Sequence, residues 1–329
     1  MRFGEVPLGE AEGAILAHSV EAGGARLRKG RLLGPDDLQR LGEAGVTAVT
    51  VARLEPGDLG EDAAATAVAQ ALVPDPAAAG LRVGRAATGR VNLHAEGPGI
   101  LLYDPAHIHA LNRVEPMITF AVLPPFAATR ARMLVGTVKI ISYAVPQSAV
   151  DAAVHHAERA LRIAPVRLAT AALIETEIGA PGPAKGEAAM RRRLEVLGMT
   201  LSDYRRVPHR EDELAEALAE AEADLVLILT ASATSDPHDV GPEAVRRAGG
   251  RLTRFGMPVD PGNLLFLGQI GERPVIGLPG CARSPALNGA DWVLERVACG
   301  VEVSHADIAA MGVGGLLKEI PARGRPRES

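Results

Sequence analysis

Cys281, Arg283 and Ser284 stand within four positions of one another in "VIGLPGCARSPALNGADWVLERV", residues 275–297. There the apolar run Val275–Leu278 gives way to a Pro-Gly turn and then to a helix-like pattern. Each residue suggests a chemistry. Gly277 and Gly280 permit close approach to the backbone, and Pro279 stiffens the turn. Arg283 is the permanent cation of the turn and suits an anion at the start of a helix. Ser284 is placed to cap the final helix. Cys281 becomes a soft ligand or nucleophile if the helix N-terminus and Arg283 lower its pKa, the plainer reading being a small buried filler. Cys299 falls in the last helix and reads as core.

A second stretch, "LILTASATSDPHDVGPEA" (227–244), ends a buried strand in Thr230, Ser232, Thr234 and Ser235, with Asp236, His238 and Asp239 just before a helix. Small hydroxylated residues offer donors to phosphate or to polar ring atoms. The carboxylates suit a cation or acid-base work, or simply a helix cap. A third, "GMPVDPGNLLFLG" (256–268), carries the rigid turn Asp260-Pro261-Gly262-Asn263, which by itself is only a turn. Elsewhere signals are weak. Asp104, His107 and His109 in "YDPAHIHALN" make a lone His-x-His, short of the three converging ligands a metal needs. His155 and His156 read as a solvated helix face. The chain has no Gly-x-x-x-x-Gly-Lys-Ser/Thr loop, no His-Glu-x-x-His and no Gly-x-Ser-x-Gly.

The elements that must position these residues follow from periodicity. From Val166 onward, strands "VRLATAALI", "MTLSDYRRV" and "DLVLILTAS" alternate with helices over 186–197, closed by Gly198, and 211–222. A helix in "DVGPEAVRRAG", strands "RLTRFGMPV", "NLLFLGQI" and "RPVIGLPG", and a last helix over 284–299 complete the pattern. Apolar runs between helices predict a mainly parallel sheet covered on both faces, with a hairpin in "LLFLGQIGERPVIGL" adding an antiparallel strand. Residues 1–55 read as short strands around a helix beginning near Pro35, followed by an alanine-rich helix closing near Val73. Residues 85–145 read as β-rich. The fold class is therefore α/β: a three-layer αβα domain preceded by a β-rich α+β region. Expected boundaries are 1–145 for the N-terminal region, 146–163 for a connecting helix, 164–300 for the α/β domain and 301–329 for an extension, whose polar end "PARGRPRES" reads as disordered. No internal repeat is visible.

Composition narrows the function classes. Of 329 residues, 47% are hydrophobic, 23% charged and only 3% aromatic, which fits a globular chain with few rings for stacking. The net charge of −5 argues against a general nucleic-acid binder. Two cysteines make no disulfide framework, and neither a signal-peptide core nor a membrane-length apolar run occurs. These features read as a soluble cytoplasmic protein without nucleic-acid or membrane partners.

The three loop stretches, in this order, resemble the molybdopterin-binding domain of gephyrin-like molybdopterin molybdenumtransferases and related cofactor-biosynthesis proteins. In that family a Gly-Gly-x-Ser-x-Gly-x-x-Asp loop, a Lys-Pro-Gly-Lys-Pro turn and a Gly-Leu-Pro-Gly-Asn-Pro-x-Ser segment follow one another. "TASATSDPHD" (230–239), "VDPGN" (259–263) and "GLPGCARS" (277–284) stand at these places, the resemblance covering about residues 166–298 firmly and 1–145 loosely. More narrowly, the chain looks like the molybdopterin-binding half of molybdenum cofactor cytidylyltransferase-type fusions, without a nucleotidyltransferase half.

The resemblance implies contact of molybdopterin, or its nucleotide-activated form, with Thr230, Ala231, Ser232, Ala233, Thr234 and Ser235. It adds Asp260, Pro261, Gly262, Asn263, Gly277, Pro279, Gly280, Cys281, Arg283 and Ser284. It gives catalytic roles to Asp236 and Asp239, and a Mg²⁺ site to Asp236, Asp239 or Glu175. The sequence departs from the family at several places. Asp260 and Asn263 replace the lysines of the turn, Cys281 replaces asparagine, and Glu175-Thr176-Glu177-Ile178 replaces Thr-Gly-Asp-Glu. An acid in place of a cation beside a phosphorylated ligand is repulsive, and Arg283 restores one positive charge. The expected function is molybdenum cofactor biosynthesis, by molybdate insertion in a transferase or by handling a nucleotide-activated pterin. The alternatives are a carrier or regulatory partner without turnover, and a nucleotide-using α/β enzyme on the same fold. A homo-oligomer, and a nucleotidyltransferase or molybdoenzyme as partner, are also expected.

Overall fold

The structure, a computed structural model, describes residues 1–179 and 185–319. The tail expected to be disordered, 321–329, lies outside them. The chain divides into two units: residues 1–97 with 101–163, and residues 98–100 with 164–329.

The first unit has two cores, one smaller than the other. One is built around Leu16, Leu33, Leu41 and Val51, where strands Arg2–Pro7 and Ile15–Leu16 flank Ala48–Arg53 in antiparallel order and helix Pro35–Glu43 packs on them. That helix starts with proline at its first turn and ends at Gly45, whose φ of +81° suits glycine. The other core gathers helices Glu61–Leu72, Pro105–Val114 and Gln147–Ala157 around the strands Leu81–Val83, Arg90–Ala95, Ile118–Val122 and Leu134–Ile140. Within the stretch read as β-rich, the histidines of "YDPAHIHALN" thus sit on a helix, capped by Asp104, whose carboxylate accepts from Ala106 N–H at 2.9 Å. The connecting helix spans Gln147–Ala157, and a strand, Arg162–Pro165, follows it.

The second unit is a six-stranded sheet. Its strands are β1 (Thr170–Glu177), β2 (Thr200–Pro208), β3 (Leu225–Leu229), β4 (Arg251–Phe255), β5 (Phe266–Ile270) and β6 (Arg273–Leu278), in the order β2-β1-β3-β6-β5-β4. β2, β1, β3 and β6 run parallel, and β5 is antiparallel to both its neighbours. Helices α1 (Lys185–Val196), α2 (Glu211–Glu220), α3 (Val240–Arg247), α4 (Gly289–Ala298) and α5 (His305–Ala310) complete it. Alternate residues of the central strands serve opposite faces. Leu173, Leu227, Leu229 and Ile276 pack with Met190, Leu194, Val293 and Leu294 of α1 and α4. Ile174, Val226, Ile228 and Val275 pack with Leu214, Leu218 and Val245 of α2 and α3. This is why β3, "LVLIL", is apolar at every position: both faces are covered.

The helix expected over 284–299 is shorter at its start. It begins at Gly289, where Asn288 accepts from Ala290 N–H at 2.9 Å and Asp291 accepts from Asn288 N–H at 2.8 Å, a reciprocal cap. Residues Gly280–Arg283 form a separate 3-10 turn, and Ser284 leaves it with extended backbone. Ser284 therefore does not cap the helix; its Oγ accepts from Ala286 N–H at 3.2 Å.

Candidate functional site at one rim of the sheet

Strand register decides where the three loop stretches lie. Glu177 pairs with Pro208, Glu175 with Leu229, Leu229 with Leu278, Gly277 with Phe266, and Phe266 with Phe255. The carboxyl ends of β1, β2, β3, β4 and β6 and the start of β5 are thus level. The segments 230–239, 256–265 and 279–288 all leave from that one rim, the end of a parallel sheet where ligands bind in open α/β folds.

Hydrogen bonds tie the rim together. Arg283 Nη2 donates to the Thr230 carbonyl at 3.0 Å, joining the first segment to the third. The same guanidinium lies 3.5 Å from Glu175 Oε1, and Glu175 Oε2 accepts from Tyr204 OH at 2.9 Å. Burial, the hydrogen bond to Glu175 and that residue's charge push the Tyr204 phenol up to about 12. The second segment joins the base of α4: Gly289 N–H donates to the Pro261 carbonyl at 2.8 Å. Gly262 has φ +144°, and a Cβ there would stand 2.8 Å from Gly289 N, so the turn needs glycine for both conformation and space.

Individual predicted residues meet different fates. Thr230 and Thr234 are buried and bond to each other at 3.1 Å, and Thr230 Oγ1 also bonds to the Ser232 carbonyl at 2.7 Å; both hydroxyls serve the loop. Ala231, Ser232, Ala233, Ser235 and Asp236 are exposed along it. Asp239 caps α3, accepting from Val240 N–H at 2.7 Å and Ser235 N–H at 3.0 Å. Asp236 accepts from His238 N–H at 2.8 Å. Asp260 pairs with Lys318 at 2.9 Å, so the acid at this turn meets a cation from the C-terminal segment. Asn263 is exposed, Pro279 is buried, Gly280 is exposed and Cys281 is half-buried. Gly277 makes room for a ring instead of a ligand: a Cβ there would fall 1.9 Å from Phe266 Cε1.

The Mg²⁺ set is not brought together. Glu175 is held by Tyr204 and Arg283, while Asp236 and Asp239 serve backbone N–H groups. Among the described residues no three His, Cys, Asp or Glu side chains gather as a metal cradle.

The sequence reading missed the residue that most firmly fixes the third segment. Arg193 of α1 donates to Asp291 Oδ1 at 2.5 Å, to the Ala282 carbonyl at 3.0 Å, to Ser284 O at 2.8 Å and to Ala286 O at 3.2 Å. One planar guanidinium thus sets the course of residues 282–286 and grips the cap of α4. Within "MRRRLEVLG" it looks like any solvated arginine, and no spacing signal marks it.

Residues 159–297 match the family model described as "Probable molybdopterin binding domain". The second unit holds a domain of this family. Residues 5–53 match a separate family described only as a domain of unknown function. No curated protein matches the chain significantly. Among solved structures, a molybdopterin biosynthesis moea protein from Pyrococcus horikoshii is 14% identical, covering 92% of this chain and 76% of its own, with a TM-score of 0.33. The molybdopterin biosynthesis enzyme MoaB from Thermus thermophilus is 22% identical, covering 40% of this chain and 96% of its own, with a TM-score of 0.29. At such scores neither likeness bears on function. The matched residues take in all six strands of the sheet and the segments 230–239, 256–265 and 279–288 at its rim. No helix among the described residues is long and apolar enough to cross a membrane.

Proposed function

We propose that the molybdopterin-binding domain holds a phosphorylated pterin, molybdopterin or its nucleotide-activated form, at the rim formed by residues 230–239, 259–263 and 277–284, and serves molybdenum cofactor biosynthesis. The observation that carries this reading is the register placing all three segments at one sheet end within a domain of that family. The exposed backbone of Ala231–Ala233 and of Gly280 offers polar contacts to the pterin. Arg283, anchored by Thr230 O and Glu175, offers charge to an anionic group. Molybdate insertion, a transferase reaction, is the activity we assign first; its protein contribution is positioning and charge stabilisation. Among the described residues the carboxylates do not fit a shared Mg²⁺.

A second reading, binding and transfer of the pterin without turnover, is favoured by the engagement of Asp236 and Asp239 in loop and helix capping. Incubating the protein with molybdopterin, molybdate and Mg²⁺ separates the two. Molybdenum incorporated over successive turnovers supports the transferase; saturable pterin binding without incorporation supports the carrier; no pterin binding removes both. The resemblance also carries the proposals that the chain works in the cytoplasm as a homo-oligomer, with a nucleotidyltransferase or a molybdoenzyme as its partner.

A further inference from the structure

Thr176 is buried at the rim end of β1, and its hydroxyl is engaged on both sides. Ala231 N–H donates to Thr176 Oγ1 at 2.8 Å, and among the described residues the acceptor within reach of the buried threonine's own proton is His209 Nδ1, also 2.8 Å away. The network therefore assigns His209 the tautomer with its proton on Nε2. The histidine is fixed at its backbone as well, its N–H donating to the Glu177 carbonyl at 2.9 Å.

His209 lines a cavity of about 370 Å³ at the ends of β1 and β2, together with Arg206, Arg210 and Glu177. Glu177 is ion-paired with Arg206, and Arg210 pairs with Glu213 at 3.1 Å in the next turn. Among the described residues the ionisable lining comprises two guanidiniums, each paired with one carboxylate, an imidazole and Glu177, so N–H donors outnumber acceptors. Such a lining suits an oxyanion, and the volume leaves room for more than one phosphoryl group.

We propose that this cavity binds a phosphoryl group through Arg206, Arg210 and His209 Nε2–H, and that its occupancy is transmitted to the 230–239 loop through His209, Thr176 and Ala231. An oxyanion accepting from Nε2–H holds the ring in place. The ring then holds the Thr176 hydroxyl, which holds the Ala231 amide at the start of the loop. The site lies beside the rim assigned to the pterin and uses residues that reading does not.

The test needs no pterin, so its outcome is independent of pterin binding. Inorganic phosphate, pyrophosphate and a nucleoside 5′-monophosphate are titrated calorimetrically at constant ionic strength, with hydrogen exchange of residues 230–239 followed by mass spectrometry. Saturable binding of at least one, weakened about tenfold or more in Arg206→Met/Glu177→Gln, supports the site. The double substitution avoids leaving Glu177 without its cation, and circular dichroism melting checks that it folds. Binding should slow exchange in 230–239; Thr176→Val should abolish that slowing while keeping Kd within about twofold. Tighter binding of the nucleotide than of pyrophosphate identifies a nucleotide phosphate as the ligand, and the reverse identifies free pyrophosphate. No saturable binding, affinity unchanged in the double variant, or slowing that persists in Thr176→Val overturns the proposal.

Discussion

Replacing Arg193 with methionine keeps an unbranched aliphatic side chain on α1 and removes the guanidinium donors to Ala282, Ser284, Ala286 and Asp291. The Arg193–Asp291 pair is well shielded, with side-chain exposures of 12% and 11%. Breaking such a pair from one side costs about 3–5 kcal/mol, because the carboxylate stays buried without its cation. Asp291 keeps its bond from Asn288 N–H, which places the expected loss near the lower end, about 3 kcal/mol. The chain's one tryptophan, Trp292, adjoins Asp291, so its fluorescence during urea unfolding reports this region directly. The midpoint should fall with the slope unchanged. Arg193→Lys, which keeps the charge but not the planar fork, should fall in between. Adding Asp291→Asn to Arg193→Met should recover about 1–2 kcal/mol by removing the stranded charge. A single variant within about 1 kcal/mol of the parent, or a double variant no better than the single, would refute the clamp.

Three further outcomes are expected. Gly277→Ala places a methyl against the Phe266 ring and should destabilise the second unit by about 3 kcal/mol or more, with partial rescue by Phe266→Leu; an unchanged urea midpoint would contradict the packing. Arg283→Ala should weaken binding of an anionic pterin about tenfold or more while leaving the melting temperature within a few degrees, and equal affinity in calorimetry would remove Arg283 from the site. Glu295 of α4 is pushed up from 4.5 to about 8, first by burial and then by the charge of Asp291. A carboxyl whose folded pKa exceeds its unfolded value favours the protonated folded state. Its contribution is therefore full below pH 4.5 and is lost as pH rises through about 8. Glu295→Gln should match the parent near pH 4.5 and exceed it by about 2–4 kcal/mol at pH 9; parallel stability curves would show that Glu295 titrates normally.

The sheet was legible because apolar runs and helix periodicity recur from residue 166 onward, and the hairpin at Gly271 was marked by its turn chemistry. The loops were legible as loops and fell at one rim, which a parallel order requires of every strand end. Several side-chain roles were not legible. Gly277 looks like an access glycine, and only the register opposite Phe266 reveals that a ring needs its space. Ser284 looks like a cap, yet Asn288 four residues on has the reciprocal partner Asp291 and takes that role. Asp236 and Asp239 read equally well as acids or caps; the geometry uses their oxygens for N–H groups. Arg193, Tyr204 and His209 gave no signal at all. Their partners lie on other elements, and local periodicity carries no information about such pairings.

The central claim is that residues 230–239, 259–263 and 277–284 form one ligand-binding rim. It is tested most directly by hydrogen exchange of the protein with and without molybdopterin, read peptide by peptide. The account predicts that the pterin slows exchange in all three segments together while the first unit is unaffected. Slowing confined to one segment or found elsewhere, or no effect at saturating pterin, would contradict it.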